Sequence, residues 1–135
     1  MTIERYSVKY LVPVILWMAV IFVSSSLPPD AFPKAGTWIL AKLVHIVYFG
    51  FLALLVQRAL SQQEKYHILL KYVQIASILF AVFYGASDEI HQLFTPGRHA
   101  QFTDVLIDGL GASLFILGSI AYRALVPKVA RTIDR

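Results

Sequence analysis

Cysteine is absent from the 135 residues, and charge is scarce: Asp, Glu, Lys and Arg together make up 15%. Without cysteine there is no disulfide framework, no thiol nucleophile and no cysteine-ligated zinc or iron–sulfur centre. Soluble domains carry about 25% charged residues, and twelve basic plus eight acidic side chains are thin cover for a chain of this size. A phosphate-cradling glycine-rich loop, a G-x-S-x-G elbow and an H-E-x-x-H pair are also missing. Hydrophobic residues make up 58% and mean hydropathy is +0.66, which excludes a disordered chain and points to a small, single-domain membrane protein.

Four apolar stretches carry that reading: Tyr10 to Leu27, Leu43 to Gln57, Tyr72 to Ser87 and Gly109 to Tyr122. A helix rises ~1.5 Å per residue and the hydrocarbon layer is ~30 Å thick, so a span needs about 20 residues. Only the first stretch approaches this alone, and the others draw their charged flanks into the boundary. The expected spans are 9–27, 38–58, 71–91 and 104–123, within one domain over 1–135. The first exceeds a signal-peptide core and has no clear cleavage site before Pro28, so it is read as an uncleaved span. The connections are expected at Pro28 to Thr37, Arg58 to His67 and Leu93 to Thr103.

The basic residues then sort by side. Arg5, Lys9, Arg58, Lys65, Lys71, Arg123, Lys128, Arg131 and Arg135 flank one side, against Lys34, Lys42 and Arg98 on the other. The positive-inside rule predicts both termini in the cytoplasm. The pI of about 9.5 is thereby explained without nucleic acid as a partner. The fold expected is an all-α bundle of four transmembrane helices.

Measured from those cytoplasmic anchors, three spans bring ionisable residues to one outer layer. Lys42 and His45 lie one and two turns inside the boundary, Asp88 and Glu89 at the end of the third span, and Asp104 and Asp108 at the start of the fourth. Ionisable groups at membrane depth are costly, and they mark a functional site or a paired internal network. Lys42, His45, Phe49 and Leu52 share one helical face, and Asp88, His91 and Gln92 another. Asp104, Asp108, Gly111, Phe115, Gly118 and Tyr122 form a third stripe, whose glycines permit close helix approach. Asp88 and Glu89 are adjacent and so ~100° apart, which sends one of them elsewhere. The run Thr95-Pro96-Gly97-Arg98 has the form of a type II turn. It presents Arg98 either to a carboxylate, as a salt bridge to Asp88, Glu89 or Asp104, or to an anionic ligand, with Lys42 as a second cation.

These residues resemble the VanZ-like family of small bacterial membrane proteins. The resemblance rests on Asp88-Glu89-Ile90-His91-Gln92-Leu93-Phe94-Thr95-Pro96-Gly97-Arg98 with Asp104, which is similar to the family's D-E-x-x-Q-x-F-x-P-G-R-x5-D pattern. Upstream, Lys42, His45 and Leu52 look like its K-x-x-H-x6-L. Phe49 stands where the family often has Tyr, with Tyr48 beside it, and Asp108 where it usually has Asn. The resemblance implies a multi-pass protein of the bacterial plasma (inner) membrane, in a family whose namesake is linked to resistance to the glycopeptide teicoplanin.

Two functions of different class follow. The first is a binding protein whose outward-facing pocket, built from Lys42, His45, Asp88, Glu89, Gln92, Arg98, Asp104 and Asp108, engages a lipid-linked envelope precursor or a lipoglycopeptide. The second is a membrane enzyme modifying such a precursor, with Asp88 or Glu89 as general base and His45 or His91 as acid. A purely structural cluster in a small partner subunit, with oligomers open to it, is the plain alternative. His45, His91, Asp88 and Asp104 have no recognised metal-ligand spacing, so neither a metal nor a cofactor is expected.

Overall fold

Pro13 sets the form of the first helix. Its ring cannot donate to a preceding carbonyl, and the chain enters α1 (Val12–Ser26) through a widened π-turn at Ser7–Leu11. The computed structural model describes residues 7–28, 38–63 and 65–133. Arg5, Lys34, Arg135 and nearly all of the first expected connection lie outside those residues. Four more helices follow: α2 (Trp38–Gln62), α3 (His67–Lys71), α4 (Val73–Gln92) and α5 (Phe102–Ile133). Among the described residues there is no strand. Four stretches are long and apolar enough to cross a membrane: Val8–Ser26, Ile39–Gln62, Val73–Gln92 and Phe102–Val126.

Two expected boundaries move. The second connection was placed from Arg58, yet α2 continues to Gln62. Ala59 is buried there, the Arg58 guanidinium sits 5.5 Å from the Tyr10 ring centre, and the Tyr10 hydroxyl donates to Gln62 Oε1 at 3.4 Å. Charge alone does not end a helix whose next turn still has partners. At the other end of the chain, α5 runs past position 123 to Ile133.

Helix α2 is the centre of the bundle and packs on α5, α4 and α1, while α4 also packs on α5. The core is small: Ile21 from α1, Phe49, Leu52, Ala53 and Val56 from α2, Ala81 from α4, Ala112 and Ile116 from α5. Outside it, Ile15, Leu16, Phe83, Leu114 and Leu117 are exposed, an apolar surface that suits a lipid bilayer. Trp17 ties α1 to α2. Its Nε1 donates to the Tyr48 carbonyl at 2.9 Å, and its ring meets the edges of Tyr48 and Phe51 at 5.7 and 4.7 Å. Tyr84 ties α1 to α4 by donating to the Met18 carbonyl at 2.7 Å.

Glycine permits the closest approach. Gly111 lies against the main chain of Ile46, where no side chain fits. Gly118, expected on the same contact face, has open space around it. The buried positions of α5 run instead through Asp104, Asp108, Gly111, Ala112 and Ile116, and Tyr122 is exposed. The adjacent α2 still reaches this level, where Ser119 Oγ donates to Gln57 Oε1 at 3.1 Å, but Gly118 itself is turned outward.

Candidate functional site

All the ionisable residues singled out in the spans gather at one end of the bundle, the end that carries the connection between α4 and α5. Helix α2 enters with Lys42 and His45 within its first two to three turns. Helix α4 leaves with Asp88, Glu89 and Gln92, and α5 enters with Asp104 and Asp108. Six of these seven side chains are buried and His45 is half-buried.

The layer is held by direct contacts between helices. Lys42 Nζ forms an ion pair with Asp104 Oδ1. His45 Nδ1 donates to Asp108 Oδ1 at 2.8 Å, and His45 Nε2 lies 3.8 Å from Asp104 Oδ2. A carboxylate on Nδ1 fixes the imidazole tautomer and leaves the Nε2 lone pair facing the cluster. Phe49 stacks one turn below, its ring 6.0 Å from that of His45. Asp108 itself is fully buried, and among the described residues its Oδ2 has no hydrogen-bond partner.

Asp88 and Glu89 are both buried, and as their adjacency implies they turn to different neighbours. The ~100° between them is real, and α4 is flanked on two sides. Asp88 turns to α1, where its Oδ2 accepts from Ser25 Oγ at 2.8 Å. Glu89 turns to the α4–α5 connection, where its Oε2 accepts from the Gln101 amide at 2.7 Å. Gln92 joins the two, its Nε2 donating to Asp88 Oδ2 at 3.0 Å and to Glu89 Oε1 at 3.2 Å.

The turn after α4 forms as its sequence implies. Arg98 N donates to the Thr95 carbonyl at 3.1 Å, and Gly97 has a φ of 77°. Arg98 then reaches α1: its Nε donates to the Leu27 carbonyl at 3.1 Å and a terminal nitrogen to the Ser24 carbonyl at 3.3 Å. These carbonyls lie at a helix C-terminus, where they carry partial negative charge, and that of Ser24 also accepts from the Leu27 amide at 3.4 Å. No ion pair between Arg98 and Asp88, Glu89 or Asp104 occurs among the described residues, and Lys42 is engaged separately with Asp104.

His91 belongs to a different neighbourhood from His45. It stacks on Phe22 of α1 with ring centres 4.3 Å apart, and its Nε2 lies 2.9 Å from Ser26 Oγ. Ser26 Oγ already donates to the Phe22 carbonyl, so the imidazole is the donor. Tyr48, beside Phe49, turns to α1 and meets Ser24 Oγ at 3.3 Å, away from the polar layer.

Two participants were missed from the sequence. Ser25 belongs to a serine run in which Ser24 and Ser26 bond back to helix carbonyls. Its place four residues after the buried Ile21 was the available signal. Gly85 leaves room for Asp108, and nothing in the sequence around it marks this.

No curated protein and no solved structure shows significant similarity to the chain. The VanZ/LLP1 family model matches residues 10–125, a range that takes in the core of all four spans and every residue of the polar layer, and the chain belongs to the VanZ-like family of membrane proteins.

Proposed function

We propose that the polar layer receives the headgroup of an amphiphilic cell-envelope component, a lipid-linked precursor or a lipoglycopeptide of the teicoplanin type, at the outer face of the bacterial plasma membrane. One observation carries this reading. The end of the bundle that buries Lys42, Asp88, Glu89, Asp104 and Asp108 also exposes Phe94 (80%) and Phe102 (76%) on the two sides of the connecting loop. A charged interior beside protruding aromatic side chains suits a ligand with a polar head and an apolar tail. A link to glycopeptide resistance would follow if that ligand is the drug or its target.

The test uses the full chain in lipid nanodiscs, with teicoplanin and a polyprenyl-pyrophosphate-linked muropeptide as probes in native mass spectrometry. Retention of either probe by the wild type, and its loss on Glu89→Gln with the protein still folded, supports the reading. Failure of the wild type to retain both removes it.

The His45–Asp108 contact favours a second reading, acid–base modification of such a precursor. A carboxylate-oriented imidazole with one ring nitrogen turned into a cluster is the arrangement a general base uses. A bound precursor whose mass is unchanged after long incubation counts against it.

A further inference from the structure

Three side chains from three helices converge at the centre of the layer. One ligand atom each from His45 of α2, Glu89 of α4 and Asp104 of α5 lies within 4.8 Å of the other two. Metal–nitrogen and metal–oxygen bonds of ~2.0–2.2 Å place two ligands of one ion at most about 4.4 Å apart. The 3.8 Å between His45 Nε2 and Asp104 Oδ2 falls within that span.

The atoms that face the centre are those left over from the other contacts. His45 uses Nδ1 on Asp108, and Nε2 makes no hydrogen bond among the described residues. Asp104 uses Oδ1 on Lys42 and Thr103, and its Oδ2 likewise accepts none, although the side chain is only 10% exposed. Neither atom is closed off from the surface, and each keeps a lone pair that a cation can take. Charge points the same way. Asp88, Glu89, Asp104 and Asp108 put four carboxyl groups in the layer, against the ammonium of Lys42, paired to Asp104, and the guanidinium of Arg98, which reaches main-chain carbonyls of α1 at the same end. A cation at the centre offsets that excess.

The geometry points to a mononuclear site for a divalent transition-metal ion, ligated by His45 Nε2, Glu89 and Asp104 Oδ2. One imidazole with two carboxylates suits zinc, manganese or iron(II), whereas calcium takes six to eight oxygens. Asp108 supplies the carboxylate that orients the ligating histidine, an outer partner typical of such sites. Three protein ligands leave a coordination position open, and the 16% exposure of His45 leaves the centre within reach from the membrane end. The spacing along the sequence gave no sign of this because each ligand sits on a different helix. The inference is independent of the amphiphile reading, since the metal alone tests it.

Cobalt(II) is the probe, titrated into the purified full-length, detergent-solubilised protein and followed by d–d absorption. One equivalent should bind per chain, with Zn2+ displacing it. His45→Ala and the near-isosteric Glu89→Gln should abolish the band, while His67→Ala and His99→Ala leave it unchanged. Asp108→Asn should weaken binding ~10–100-fold and shift the band, because the histidine stays but its orientation loosens. A folded wild type that shows no saturable cobalt band overturns the site. So does a band that Glu89→Gln keeps and His67→Ala or His99→Ala removes.

Discussion

One carboxylate oxygen of Asp108 occupies the space that a side chain at position 85 would need, so Gly85 and Asp108 fit each other across α4 and α5. The glycine is there to admit the acid and, through it, to set the imidazole of His45. A polar layer on three helices thus depends on the smallest residue of a fourth contact.

Gly85→Ala should push Asp108 off His45. Overpacking of a well-filled interior typically costs 1–3 kcal/mol, and here the methyl group meets a carboxylate held by its own hydrogen bond. The expected result is a lower melting temperature in detergent than the wild type. Asp108→Ala combined with Gly85→Ala should recover part of the loss, which a two-by-two melting comparison reads directly.

The Lys42–Asp104 pair gives a second prediction. Removing one partner of a buried ion pair leaves the other charge uncompensated and costs about 3–5 kcal/mol. Asp104→Asn should therefore destabilise the bundle strongly, and Lys42→Met should do the same. The double variant should lose less than the sum of the two, and unfolding of all four proteins measures the coupling.

Gly111 and Gly118 should respond in opposite ways although they are one helical repeat apart. A methyl group at Gly111 meets the main chain of Ile46, which cannot swing aside, so Gly111→Ala should separate α2 from α5 and lower stability. Gly118→Ala has open space and should be neutral or slightly stabilising, since alanine favours helix over glycine by ~1 kcal/mol. Equal effects of the two would contradict the packing described.

The distribution of Lys and Arg predicts the sidedness, and the lack of native cysteine makes it easy to measure. Single-cysteine variants Ala100→Cys and Gln63→Cys should be labelled by a membrane-impermeant maleimide on intact cells only at position 100. Labelling only at position 63 would place the polar layer on the cytoplasmic side.

The four helices were legible because their apolar runs are long and their period is regular. Lys42, His45, Phe49 and Leu52 lie at spacings that bring them to one face, and that face meets α4 and α5. Periodicity tells which residues share a face, not how far a neighbour extends. This is why Gly118 and Tyr122 were placed with Gly111 although both are exposed, while the contact with α2 at that level runs through Ser119. The partners of Arg98 were illegible for another reason. Its acceptors are main-chain carbonyls of Ser24 and Leu27, and any residue types at those positions would present the same atoms. Ser25 and Gly85 were missed because small residues announce themselves only through what stands opposite.

The reach of Arg98 across the bundle also orders events during synthesis. The last turn of α1 is made before α2, α4 and α5, yet the guanidinium that bonds to the Ser24 and Leu27 carbonyls belongs to a residue more than seventy positions later. Ser25 waits almost as long for Asp88. Until α4 and its following turn have emerged, that end of α1 has only its contacts with α2, so a helix made before its partners is sealed after them.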